Sequence, residues 1–139
     1  MEYKYSDLTD KIINCFYKVY NTLGYGFLEK VYENSLKLEL ETCNFSVEAQ
    51  KPIRVFYKEE LVGEYFADLV VDGKIIIELK ANEVLIPENE AQLVNYLKAT
   101  EFEVGLLLNF GKKPEIKRKI YSNNYKNSTQ IIADETDKH

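Results

Sequence analysis

The sequence predicts a mixed α/β (α+β) domain: two helices, three antiparallel strands, a crossover helix, and a fourth strand parallel to the third. Three observations predict it. Apolar residues recur at helical spacing over residues 6–23 and again over 27–42. An Asp72-Gly73 turn signal separates two apolar β-type runs. Pro87 opens a helical pattern between the strand-like runs Lys74–Lys80 and Val104–Phe110, and strand-helix-strand implies a right-handed parallel crossover. The expected core is α-β-β-β-α-β, a mixed four-stranded sheet flanked by helices, with an extra helix at the N-terminus.

The first helix takes Leu8, Ile12, Phe16, Val19, Tyr20 and Leu23 for its buried face, with Ser6 as N-cap and Gly24 as its stop. Gly24-Tyr25-Gly26 hinges into the second helix, whose apolar positions include Leu28, Val31, Tyr32, Leu36 and Leu40. Glu29, Tyr32, Glu33 and Leu36 share one stripe. A glutamate on a core-facing stripe needs a partner, unless Glu29 only steadies the first turn through the helix dipole.

The strand region opens at Pro52, and Ile53, Val55 and Tyr57 alternate with Arg54, Phe56 and Lys58. Lys58-Glu59-Glu60 turns the chain. Leu61–Val71 is apolar on both faces apart from Glu64 and Asp68, the pattern of a strand covered on both sides. Lys74–Lys80 is the third strand, and residues 81–86 form a loop. The helix from Pro87 to about Thr100 carries Glu88 and Glu90 in its first turn and buries Leu93, Val94 and Leu97. Gln92 and Tyr96, four apart, share an adjoining face. Lys112–Lys119 holds five basic residues and one acid, either a solvated face or a phosphate contact. One domain is expected over residues 1–121, with a loosely held polar tail over 122–139.

Composition narrows the chemistry. The 139 residues suffice for one domain with a core, and 45% hydrophobic with 29% charged content describes a globular chain. No apolar run approaches the roughly 18 residues that a membrane helix needs. Met1–Tyr5 shows no signal-peptide pattern, so a cytoplasmic location is expected. The single histidine, His139, rules out His-based metal sites and His-dependent nucleophiles within one chain. Cys15 and Cys43 sit in helical patterns and are expected to be buried thiols rather than a disulfide or zinc site. A net charge of −5 argues against broad DNA coating but leaves room for a local basic strip.

Three charged residues interrupt the apolar strands: Asp68, Glu78 and Lys80. Such groups stay buried only when paired or bound to a metal. Glu78 and Lys80 share a strand face. A two-residue turn would put Asp68 on the other face. A three-residue loop Val71-Asp72-Gly73 would set it opposite Ile76, diagonal to Glu78. The odd-length loop is the expectation here, and it brings two carboxylates and an amine together. Hard oxygen donors in that number suit Mg²⁺ (or Mn²⁺). A structural acid–lysine pair is the plainer alternative.

Asp68 and Glu78-x-Lys80, on the second and third strands of this element order, resemble the PD-(D/E)XK nuclease superfamily. Gly26-x-x-Glu29-x-x-Tyr32 looks like the signature of its GxxExxY family of small bacterial and archaeal proteins. So do Gly63-Glu64-Tyr65 before Ala67-Asp68-Leu69, then Ile77–Ala81, Glu90–Lys98 and Gly105–Gly111. The resemblance runs over about residues 6–120 and implies a restriction-endonuclease-like core of the RecB-like and lambda-exonuclease-like branch. Ala67 stands where the superfamily's naming proline would be.

By that resemblance Asp68, Glu78 and the Leu79 carbonyl are metal ligands and Lys80 is the catalytic lysine. Glu29 is the acid supplied by a core helix, and Gln92 and Tyr96 match the branch's Gln-x-x-x-Tyr motif, either supporting the residues that hold the metal or positioning phosphate. Lys112, Lys113, Lys117 and Arg118 would follow the nucleic-acid backbone. The implied activity is Mg²⁺-dependent hydrolysis of nucleic acid, with DNA the expected substrate and no membrane partner. The chain would act alone, as a homo-oligomer or as a subunit of a larger complex. The alternative is a catalytically silent nuclease fold serving as a nucleic-acid or protein adaptor.

Overall fold

A computed structural model describes residues 4–126. Residues 127–139, which hold most of the expected loose tail and His139, lie outside the described residues. The elements are α1 (Ser6–Leu23), α2 (Glu29–Thr42), β1 (Val47–Tyr57), β2 (Glu60–Val71), β3 (Ile75–Lys80), α3 (Pro87–Lys98), β4 (Val104–Phe110), β5 (Pro114–Ile120) and α4 (Asn123–Lys126). The sheet order is β1-β2-β3-β4-β5, antiparallel except for the parallel β3–β4 pair that α3 connects.

The sheet therefore has five strands, not the expected four. The basic strip is itself β5, antiparallel to β4. Alternation within it was masked by lysines: Ile116 packs on the α1/α2 side, while Lys119 on the other face pairs with Glu90 of α3 at 2.6 Å. β1 also begins before Pro52. As an edge strand it leaves one side unpaired, so proline's missing N–H costs no ladder bond.

Two apolar clusters sandwich the sheet. Ile12, Phe16, Val19, Tyr32, Leu36 and Leu40 of α1 and α2 cover Leu69, Val71, Ile75, Ile77 and Leu79. Leu93, Tyr96 and Leu97 of α3 cover Ile53, Ala67, Val70, Ile76 and Leu107 on the other face. Gly105 lets Leu93 approach so closely that an added Cβ would sit 2.7 Å from its Cδ1.

Several expected positions differ. Tyr5 at φ 57°, not Ser6, occupies the α1 N-cap; Gly24 ends the helix as expected, its N–H donating to Tyr20 O. α2 starts at Glu29, which leaves Leu28 and Val31 exposed. Only the Ala67–Val71 end of β2 is covered. Leu61, Val62, Tyr65 and Phe66 are exposed, because the β1–β2 hairpin runs past the helices. At the end of the described chain, Lys126 is buried, its Nζ donating to Thr100 O at 2.9 Å and Phe102 O at 2.5 Å. Among the described residues, no helix is long and apolar enough to cross a membrane.

Candidate active site

The β2–β3 turn sets the geometry. Val71 pairs with Ile75, leaving an odd-length loop of Asp72, Gly73 and Lys74, with Asp72 at φ 53° and Gly73 at φ 62°. The parity is as expected, but the register differs by two residues. Continued past Leu69↔Ile77, it sets Asp68 across from Glu78 rather than Ile76. A second left-handed residue, Asp72, shifts the loop; its carboxylate accepts the Ser46 N–H at 2.9 Å.

The ladder between β2 and β3 stops at Leu69↔Ile77. Beyond it β2 stays with β1 while β3 continues beside β4 to Lys80↔Asn109, so the sheet forks. Side chains close the fork. The Asp68 N–H donates to Glu78 Oε2 at 3.0 Å, and the Leu79 N–H donates to Asp68 Oδ2 at 2.8 Å. A strand residue's N–H and C=O project to the same edge, so the Leu79 carbonyl faces the fork too. Opposite Asp68 in the β1 register is Gln50, at φ 54°. The alternation of β2 breaks here: Ala67 and Val70 both pack toward α3, with Leu69 toward α1 and α2.

α2 supplies acids from one side. Glu33 is buried, accepting from Gln50 Nε2 at 3.0 Å and pairing with Lys30 at 3.0 Å. Gln50 Nε2 also reaches Asp68 Oδ1 at 3.4 Å, linking the helix acid to the strand acid. Glu29, one turn earlier, is more exposed but within the electrostatic reach of Lys80, Asp68 and Glu33. Tyr32 explains the local sequence. Its hydroxyl donates to Gly24 O at 2.6 Å and accepts the Phe27 N–H at 3.2 Å, pinning the hinge that aims Glu29. Its ring stacks on Phe110 at 4.1 Å. Tyr32→Phe should cost about 1 kcal/mol by urea denaturation, since the Gly24 carbonyl and the Phe27 N–H both lose their partner; an unchanged midpoint would refute this role.

From the other side α3 presents Gln92 and Tyr96, joined by a Gln92 Nε2–Tyr96 Oη bond of 3.0 Å. They line a groove of about 410 Å³ with Val55, Tyr65 and Asn95. Burial, then Glu78 and Asp68, push the Tyr96 phenol well above its usual range, so it remains a hydrogen-bond donor.

The carboxylates repel one another across a poorly solvated space. Burial first, then Asp68, pushes Glu78 up to about 8; the Asp68 N–H and Lys80 oppose this. Burial raises Asp68, opposed by the Leu79 N–H, and raises Glu29, opposed by Lys80. A cation would relieve these upward shifts, and the hard oxygen donors fit an ion that takes one or two carboxylates and completes its shell with water. Among the described residues, the group of three side chains whose ligand atoms already lie within 4.8 Å of one another is elsewhere: Cys15, Glu39 and Cys43.

The fork thus gathers Asp68, Glu78, Leu79, Lys80 and Glu29, with Gln92 and Tyr96 beside it. Sequence reasoning missed Gln50 as a site residue, and it left Glu33 as only one position on a shared stripe. Of the basic residues, Lys112 and Lys113 are exposed just after β4, at the end where Asn109 pairs with Lys80, and Lys117 is exposed on β5. Arg118 is drawn to α1, Nη1 donating to Thr9 Oγ1 at 2.9 Å and Nη2 to Lys4 O, so it braces the helix.

A five-stranded mixed sheet flanked by helices, with acids at a strand fork, fits the restriction-endonuclease-like class of fold. A family model described as the PD-(D/E)XK nuclease superfamily matches residues 6–119, and the chain belongs to that superfamily. Divalent metals and nucleic-acid substrates are typical of it. No curated protein and no solved structure matches the chain.

Proposed function

We propose that the chain is a Mg²⁺-dependent nuclease of the GxxExxY type, hydrolysing phosphodiester bonds with DNA as its substrate. The observation that carries this is the fork, where Asp68 and Glu78 each close a backbone gap while facing Lys80 and Glu29. Asp68, Glu78 and the Leu79 carbonyl would hold the ion. When bound, Mg²⁺ supplies Lewis acidity at the phosphoryl oxygen and makes water a better nucleophile.

The chain's own groups do the rest. Lys80 orients the attacking water and offsets the negative charge that grows on phosphorus. Tyr96, kept protonated, donates to the scissile phosphate and is itself held by Gln92. Glu33 and Gln50 fix Asp68 from the α2 side. Lys112 and Lys113 meet the incoming backbone; replacing both with alanine should weaken DNA binding and lower the salt slope by about 2. A slope that does not change would place the phosphate contact elsewhere.

The direct test is a cleavage panel of single- and double-stranded DNA and RNA with Mg²⁺, Mn²⁺ or EDTA. Cutting with either ion and none with EDTA is expected. No cutting of any substrate would reject catalysis and leave the adaptor reading.

A further inference from the structure

The two cysteines lie 28 positions apart, yet their sulfurs are 3.8 Å from each other. Cys15, buried, sits in the middle of α1; Cys43, exposed, is the residue that ends α2. Of the two thiols expected to be buried, only Cys15 is; both are free. Glu39 lies one turn before Cys43 on the same helix face, and its carboxylate joins the pair within 4.8 Å. Cys15 and Cys43 line a cavity of about 320 Å³ together with Lys11, Asn14, Lys18 and Phe45.

We propose that Cys15, Cys43 and Glu39 form a second metal site, selective for a thiophilic divalent cation such as Zn²⁺ and separate from the hard-oxygen fork. Tetrahedral zinc with bonds of about 2.3 Å to sulfur places two thiolates about 3.8 Å apart, the spacing already present. Thiols joined by a hydrogen bond also adopt that spacing; the carboxylate converging as a third donor is what points to a cation. Two thiolates and one carboxylate leave the fourth position to water, and soft sulfur donors favour Zn²⁺ over Mg²⁺.

Two neighbours must yield. Lys18 lies 3.9 Å from Glu39, and its mostly exposed side chain can swing into solvent. The Cys15 thiol, pushed up to about 12 by burial and then by Cys43, gives up its proton on loading, so affinity falls as pH falls. A loaded site would clamp the end of α2 to α1. The opposite end of α2 carries Glu29 and Glu33, so the clamp fixes the direction in which those acids point.

The test uses the full chain, chelator-stripped and reduced, titrated with Co²⁺ and followed by sulfur-to-cobalt charge-transfer absorption. One Co²⁺ per chain with that absorption is expected, displaced by Zn²⁺ but not by Mg²⁺. Cys43→Ser, a change at an exposed position, should weaken binding by more than about a hundredfold, and Asp68→Asn should leave it unchanged. No such absorption in the reduced chain, absorption that survives Cys43→Ser, or absorption lost in Asp68→Asn would each overturn the proposal.

Discussion

Asp68→Asn is expected to abolish cleavage, by at least about a thousandfold, while the protein melts near the wild-type temperature. Asparagine is the sharper choice than alanine. Its side-chain oxygen can still accept the Leu79 N–H that now bonds Oδ2 at 2.8 Å, so the fork stays closed while the charge and the long 3.4 Å contact from Gln50 Nε2 are lost. Alanine would orphan that N–H at a cost of about 1–3 kcal/mol, confusing loss of chemistry with loss of fold. Lys80→Ala should lower the rate by about a hundredfold to a thousandfold with little change in metal-linked stability, since a lysine is no ligand. Wild-type rates in Asp68→Asn would place the chemistry outside the fork.

The second large effect is on stability. Glu78 titrates near 8 in the folded chain against an ordinary value of 4.5, so the folded state holds its proton across that window while the unfolded state gives it up. Stability is therefore lost as pH rises from about 4.5 to 8, and a penalty of a few kcal/mol is fully present above that. Asp68 and Glu29 are shifted the same way.

Without metal, Glu78→Gln should melt higher than wild type at pH 8.5 and close to it at pH 5, because glutamine accepts the Asp68 N–H without carrying charge. Mg²⁺ should reverse the order. It raises the wild-type melting temperature more at pH 8 than at pH 6, and it leaves the variant nearly unmoved. Parallel melting curves for the two proteins across pH would show that Glu78 carries no such burden.

The sequence was most legible where one periodicity prevailed. Pro87 and the uniform apolar run Val104–Phe110 defined the crossover, and those elements stand where their patterns place them. β5 was hidden because lysines occupy its outward positions and Arg118 an inward one, so a strand looked like a charge run. The odd-length turn followed from requiring Asp68 and Glu78 to share a side. Its register did not, because the left-handed backbone of Asp72 depends on a bond to Ser46, which is distant in sequence.

Gln50 left no trace in the pattern, since its importance comes from a backbone irregularity opposite Asp68. Glu33 did leave one: it shares the stripe of Tyr32 and Leu36, and an acid there must find a partner. The closeness of Cys15 and Cys43 arises from the way α1 and α2 pack, and no local spacing announces that.

The closed fork also bears on how a degenerate copy of this fold would age. Each acid mends a gap in the hydrogen bonding between two strands, so a descendant that no longer cuts anything would still be under pressure to retain both for its architecture. Their survival alone therefore says little about whether such a lineage remains an enzyme. The sharper witness is the lysine two places further on, whose amine is proposed for the chemistry and takes no part in the seam's hydrogen bonds at Asp68 and Leu79.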